Sequence, residues 1–162
     1  MQETVIRQAS AADADDIAGV YLESARVHRE LDGERYVEPP RDEIVARYRG
    51  GGQHPASASA AVTLVAELDG AVIGFVDARL ERPHDAMHRQ TVYVYIAEIA
   101  VACACQNRGV GERLMRAAED WGRRMGAEFA SLDYVASNER ASRLYHARLG
   151  YRVASVIAVK RL

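Results

Sequence analysis

The stretch Cys105-Gln106-Asn107-Arg108-Gly109-Val110-Gly111-Glu112-Arg113-Leu114-Met115 joins two kinds of periodicity. Before it, residues 91–104 are apolar on both alternating faces apart from Glu98, the pattern of a strand covered on both sides of its sheet. After it, Val110, Leu114, Ala117, Ala118, Trp121 and Met125 recur at helical spacing until Gly126, a helix stop. Gly109 and Gly111 therefore strip the backbone of side chains where a strand becomes a helix. The first turn of a helix carries amides without internal partners and the positive end of the dipole, so a bare junction there suits a phosphate or pyrophosphate. A dinucleotide fold would need a third glycine where Leu114 stands, and a P-loop would need Gly-Lys-Ser or Gly-Lys-Thr where no lysine occurs. Both fail.

Downstream, residues 129–135 read as a strand and 138–149 as a helix with Ala141, Leu144, Tyr145 and Leu149 on one side. Gly150 closes that helix, and 151–160 return as a strand. Upstream, 4–7 is a short strand, and Ser10-Ala11-Ala12-Asp13 resembles a capping box with Asp in place of Glu. Ile17, Val20, Tyr21, Ser24, Val27, His28 and Leu31 then mark one face of a helix that ends near Asp32-Gly33. Pro39-Pro40 interrupts the chain, and 42–48 forms a second helix with Ile44, Val45 and Tyr48 as its buried side. Residues 50–59, rich in Gly, Ser and Ala, have nothing to pack and read as a mobile surface loop. Residues 61–67 and 72–80 are strands joined by Leu68-Asp69-Gly70-Ala71, a hairpin signal, followed by a polar loop at 81–90. The order β-α-α-β-β-β-α-β-α-β is a mixed α/β (α+β) pattern, with hairpins first and a βαβ crossover in the second half.

At 162 residues, about half of them apolar, the chain suits one domain spanning 1–162. Its formal charge of −2 provides no overall basic field, so neither nucleic acid nor an acidic membrane is an expected partner. The first residues lack a basic-then-apolar leader, and no apolar run approaches the roughly 18 residues of a membrane helix, which gives a cytoplasmic reading. Cys103 and Cys105 are the only cysteines and read as small buried hydrophobes at a strand end. His84 and His88 have helical spacing, but Pro83 puts them in a loop, so no metal site is expected.

Gln106-x-x-Gly109-x-Gly111 after an apolar strand is followed by Gly126, by Ser131-Leu132-Asp133-Tyr134-Val135, and by Asn138-x-x-Ala141-x-x-Leu144-Tyr145-x-x-x-Leu149-Gly150-Tyr151. In these features, continuous from Val92 to the C-terminus, the chain resembles the GNAT superfamily of N-acetyltransferases. The resemblance implies a mixed, mostly antiparallel central sheet flanked by about four helices, with strands that diverge at the cofactor slot. It implies acetyl-CoA as cosubstrate, its pyrophosphate wrapped by Gln106, Asn107, Arg108, Gly109, Val110, Gly111 and Glu112. It further implies that Ile99 and Val101 bond the pantetheine arm through their main chain, that the Ile99 amide stabilises the oxyanion, and that Asn138, Ser142 and Tyr145 complete the cofactor contacts. Two positions depart from the family pattern: Cys103 stands where proline is common, and Asn107 where glycine is common.

Acetyl transfer to an amine needs a neutral nitrogen and a proton for the departing thiolate. Alkyl amines, with a pKa of about 10, are mostly charged at neutral pH, so a proton acceptor must lie nearby. Glu98 is the candidate, since a carboxylate among apolar neighbours has a raised pKa. Strict alternation puts it on the face of Val94, Ile96 and Ala100 unless a bulge intervenes, and many members of the resembled family place a water-mediated base on this strand. The plainer reading is a strand-end charge that reaches solvent or pairs with an arginine. Tyr145 is the general acid that the resemblance implies, against a plainer reading as a packed aromatic; Asn138 is a cofactor contact, a helix cap, or both. In this fold the acceptor site is bordered by residues 21–48 and 81–90. The first region carries Glu23, Glu30, Asp32, Glu34 and Glu38 but also Arg26, Arg29, Arg35 and Arg41, so its charge nearly cancels. The expected activity is transfer of acetyl to a primary amine of a small molecule by direct attack in a ternary complex. The alternatives are acetylation of protein N-termini or lysines, or a non-catalytic acyl-CoA-binding module. The resemblance also implies a homodimer through C-terminal strands, for which residues 153–159 are sufficiently apolar.

Overall fold

In the computed structural model, which describes residues 3–52, 54 and 58–162, the hairpin signal becomes the centre of the sheet. Ala61–Leu68 (β2) and Ala71–Glu81 (β3) pair antiparallel around Asp69-Gly70. Both turn residues have positive φ, 56° and 80°, the conformation of a two-residue turn whose twist matches the strands it joins. Val5–Gln8 (β1) pairs antiparallel with the outer side of β2. Tyr93–Val101 (β4) pairs antiparallel with β3, and Phe129–Ser131 (β5) lies parallel to β4. The strand order is therefore β1-β2-β3-β4-β5. Only the last pair is parallel, and there Val110–Arg124 (α3) provides the crossover that parallel neighbours need.

The two faces of the sheet bury different helices. Ala14–Leu31 (α1) and Arg41–Arg49 (α2) set Ile17, Ala18, Ile44 and Tyr48 on Val65, Phe75 and Ala100. On the other face α3 sets Leu114, Met115 and Ala118 on Val76, Ala78, Val94 and Ile96. Its approach is close: a Cβ on Gly122 would lie 2.7 Å from Val94 Cγ1, so the helix needs a bare backbone there. Ahead of α1, the Asp13 carboxylate accepts from the Ser10 amide at 2.7 Å and from the Arg7 guanidinium at 2.8 and 2.9 Å, tying the helix start to β1. Glu139–Ser142 (α4) runs on into a wider turn, Arg143–Arg148, in which the Leu149 amide reaches back to the Leu144 carbonyl. No helix among the described residues is long and apolar enough to cross a membrane.

Four expectations need correction. Residues 151–160 form no strand, and Val153, Val156, Ile157 and Val159 are 66–83% exposed. The alternating apolar pattern is present, but a strand needs a ladder edge, and among the described residues none pairs with this segment; β5, at the edge of the sheet, is three residues long. The strand expected over 129–135 stops at Ser131 because pairing with β4 ends at Tyr95↔Ser131. Cys103 and Cys105 lie in a tight turn beyond β4 rather than in the strand, and Cys103 is an exposed free thiol. In the 50–59 segment Gly52 and His54 are packed, since a Cβ on Gly52 would lie 2.6 Å from Thr63 Oγ1 and 3.2 Å from His54 Nε2. Gln53 and residues 55–57 of that segment lie outside the described residues.

Candidate active site

The bulge left open by the alternation argument is present. Across the β3–β4 ladder Asp77 faces Glu98, and the next residue, Ala78, faces Ile96. Ala97 is the extra residue. It sends Val94 and Ile96 into the core beneath α3 and leaves Glu98 with Ala100 on the opposite face, towards α1 and α2. Glu98 consequently shares a face with Ala100 alone among its three expected companions.

Because β5 leaves β4 after Tyr95, the strands are already apart at Glu98 rather than parting beyond it. The gap opens into a cleft of about 460 Å³, of the size that small ligands fill. Its β4 wall includes Glu98, Ile99 and Val101, and its far wall runs from Leu132 to Val135 and on to Tyr145. Burial, and next the Asp77 carboxylate, push the Glu98 carboxyl up to about 7, while the Arg47 cation opposes them. A group of that proton affinity gains and loses a proton readily at neutral pH.

Tyr145 sits in the wide turn after α4, 7% exposed, with its ring 5.4 Å from that of Tyr134 and 6.0 Å from that of Tyr151. Its hydroxyl makes no hydrogen bond among the described residues. Burial and the Glu98 charge push its pKa up, so it stays a proton donor. The ring is braced from behind: Tyr134 Oη and His146 Nε2 lie 2.8 Å apart, and His146 Nδ1 is 2.6 Å from the Tyr151 carbonyl.

At the other end of the cleft the glycine loop starts α3. Gly109 caps the helix at φ +79°, and Asn107 takes φ +61°. Asn is the side chain that best tolerates this left-handed region, which accounts for its standing in for glycine. A Cβ on Gly109 would meet nothing within 4 Å, whereas one on Gly111 would touch Leu144 at 3.5 Å and Val101 at 3.7 Å. Gly109 thus keeps the space outside the helix end clear, and Gly111 keeps the helix close to its neighbours. The Arg113 amide bonds the Gly109 carbonyl at 3.1 Å, leaving the amides of Val110, Gly111 and Glu112 as the unpaired first turn.

Gln106, Asn107, Val110 and Glu112 line the cleft as well, but Arg108 and Ser142 do not. Gln106 acts as a strut: Nε2 donates to the Val101 carbonyl at 2.9 Å, and Oε1 accepts from Arg140. Asn138 lines the cleft and caps α4, its Oδ1 accepting from the Ala141 amide at 3.0 Å. Sequence reasoning overlooked Arg140, Arg143 and Arg148, whose side chains surround the mouth near the α3 terminus. Their spacing of three and five residues along one helical segment was the available signal. Of the two regions expected to border the acceptor, α1 and the following loop contribute Glu23, Ser24, His28 and Tyr36, while none of residues 81–90 lines the cleft. Glu23 also accepts from the Cys103 amide at 2.6 Å, fastening α1 to the start of the glycine loop. Among the described residues no group of His, Cys, Asp and Glu is arranged to hold a metal ion.

Residues 22–151 match the acetyltransferase (GNAT) family. The chain belongs to the GNAT acetyltransferase family. Relatives in sequence and in structure can be named beside this GNAT acetyltransferase match. An uncharacterized N-acetyltransferase of Bacillus subtilis (strain 168), YhdJ, is 28% identical over 75 residues, which span 46% of this chain and 52% of that protein, about half its length. A mutant of the BH1408 protein from Bacillus halodurans superposes with a TM-score of 0.85 at 20% identity, over 98% of this chain and 99% of the other. The aminoglycoside N-acetyltransferase AAC(6')-Iy, solved in complex with CoA, superposes with a TM-score of 0.73 at 21% identity, over 100% and 96% of the two chains. A ribosomal-protein-alanine N-acetyltransferase from Brucella melitensis biovar Abortus 2308 gives 0.71 at 19%, over 99% of each chain. At these identities the three likenesses speak for the fold alone.

Proposed function

We propose that this GNAT acetyltransferase moves the acetyl group of acetyl-CoA to a primary amine of a small molecule, by direct attack in a ternary complex. The observation that carries the reading is the convergence of three elements on one cleft: a carboxyl poised near neutrality, an unbonded tyrosine hydroxyl, and a helix N-terminus cleared by Gly109. The free first-turn amides and Arg140, Arg143 and Arg148 suit the CoA phosphates. Ile99 and Val101, on the β4 edge released by β5, suit the pantetheine amides as an added strand would, with the Ile99 amide as oxyanion donor. Glu98 takes the proton of the amine, directly or through a water. The nitrogen then attacks the thioester carbonyl, a C–N bond forms as the C–S bond breaks, Tyr145 gives its proton to the leaving sulfur, and the proton that the nitrogen sheds on becoming an amide passes through water to restore the Tyr145 hydroxyl.

The same reading makes residues 1–162 one catalytic domain, cytoplasmic in keeping with its two free thiols. It also makes the exposed apolar segment at 153–159 a contact between two copies. The deciding experiment is thermal melting with acetyl-CoA, ATP and NADH in turn, followed by CoA release in the presence of neamine, spermidine, lysine, glucosamine and an alanine-terminated peptide. A midpoint raised by acetyl-CoA alone and CoA release with a small amine support the proposal. An equal rise with ATP overturns the assignment of the glycine loop. Turnover of the peptide alone selects protein acetylation, and binding without any transfer selects a non-catalytic module.

A further inference from the structure

Beneath Glu98 lies a second carboxylate that the transfer scheme does not use. Asp77 of β3 is 0% exposed, and both its oxygens are occupied. Tyr48 Oη donates to Oδ2 at 2.8 Å, and Thr63 Oγ1 donates to Oδ1 at 2.6 Å. Gly52 and His54 close the remaining side, since a Cβ on Gly52 would come within 3.5 Å of Asp77 Oδ1 and 3.2 Å of His54 Nε2. Neither ring nitrogen of His54 has a hydrogen-bond partner. Asp77 and Glu98 are register partners on adjacent strands, which puts their Cβ atoms about 5 Å apart on one face of the sheet. Two carboxylates that close, in a poorly solvated place, do not lose their protons together: one ionises first, and the second, facing that charge, ionises later and is the stronger base. The hydroxyls decide which one ionises first: two donors pointed at Asp77 favour its charged form, whereas among the described residues no side-chain hydroxyl is directed at Glu98.

We propose that Asp77 is a positioning residue for acetyl transfer: held as an anion by Tyr48 and Thr63 opposite Glu98, it keeps the proton of the pair on Glu98 and makes Glu98 the stronger base towards the amine. The proposal rests on the reading of Glu98 as the proton acceptor. The other groups facing Glu98 are Arg47 and Tyr48 from α2, Tyr21 from α1, Asp133 beyond β5 and Tyr145 from the turn after α4. Those facing Asp77 are Tyr48, Arg47, Thr63, His54 and Tyr21 besides Glu98 itself. Arg47 is a cation that faces both acids, and it acts against the effect of Asp77 on Glu98. Burial is the largest influence on Asp77 and leaves it raised on balance, while Thr63 and Tyr48 pull it down. Their removal therefore hands the proton to Asp77 and releases Glu98.

The test is a ¹³C NMR titration of the Glu98 side-chain carboxyl in the free chain, the resonance assigned by its loss in Glu98→Gln. The midpoint lies near 7 in the parent chain. Asp77→Asn lowers it by about one pH unit or more, and Tyr48→Phe, which keeps Asp77 and removes one donor, lowers it by a smaller amount. Should Asp77→Asn fail to fold, Tyr48→Phe and Thr63→Val give the same decision. A midpoint unmoved or raised in the folded variants overturns the proposal. Transfer rates of Glu98→Gln on the amine and peptide panel separate the two readings. If Glu98→Gln loses the rate while Asp77→Asn leaves the midpoint unmoved, the role of Asp77 alone falls. An unchanged rate in Glu98→Gln overturns the base assignment and with it any part of Asp77 in transfer.

Discussion

Replacing Glu98 by Gln costs this enzyme its rate and stabilises its fold above neutral pH. The folded chain holds the Glu98 proton to about 7, against an ordinary value of 4.5, so between those values the folded state binds more protons than the unfolded one. Stability therefore falls as pH rises from about 4.5 to 7 and stays lost above that. At about 1.4 kcal/mol per pH unit, the gap sets a ceiling of about 3.5 kcal/mol, and the partial exposure of Glu98 brings the expected penalty to about 2 kcal/mol. A glutamine keeps the shape without the charge. In a chain of this length each kcal/mol moves the melting midpoint by about 2–4 °C, so at pH 8.5 Glu98→Gln melts about 4–8 °C above the parent, and at pH 4.5 the two coincide. Thermal melts of both proteins at the two pH values measure this directly. Equal differences at both values, or a parent more stable at pH 8.5, would refute the claim that Glu98 is ionised against its surroundings.

Tyr145→Phe keeps the packing against Tyr134 and Tyr151 and removes only the hydroxyl; the turnover number falls by about 10²-fold or more while the acetyl-CoA-induced rise in melting temperature is unchanged. Gly109→Val forces a branched side chain into φ +79° and into the open space before the α3 amides. It costs about 1–2 kcal/mol of stability and abolishes the acetyl-CoA-induced rise, as melting with and without acetyl-CoA reports. Charge reversal at Arg140, Arg140→Glu, raises the KM for acetyl-CoA most at low ionic strength, and the effect shrinks in high salt because the site lies at an exposed mouth. The proposed contact through 153–159 predicts a dimer for the whole chain in sedimentation analysis and a monomer once residues 153–162, which belong to neither core cluster, are removed.

The glycine loop was legible because everything that defines it is local. A strand pattern, two glycines and a helical repeat lie within one continuous stretch, and their geometry follows from the ends of regular elements. The hairpin at Asp69-Gly70, both long helices and the α3 crossover were legible for the same reason. The side of the sheet on which Glu98 emerges was not, since an extra residue at Ala97 changes nothing in composition and shows only when β3 supplies the register. The arginines at 140, 143 and 148 mean little until α4 is carried to the mouth of the cleft. The tail at 152–162 shows the opposite limit: its strand pattern is sound, but a strand exists only where another edge accepts its hydrogen bonds.

By itself, then, the sequence determined the order of the elements, the bare helix start and the residue types available for acid and base work, because these depend on neighbours within a few positions. Only the tertiary structure decided where the strands part, which face receives Glu98, and that Asp77, 21 residues earlier, lies beneath it. Those facts are made by contacts between distant segments, and the proton affinity of a carboxyl is a property of such contacts rather than of the residue.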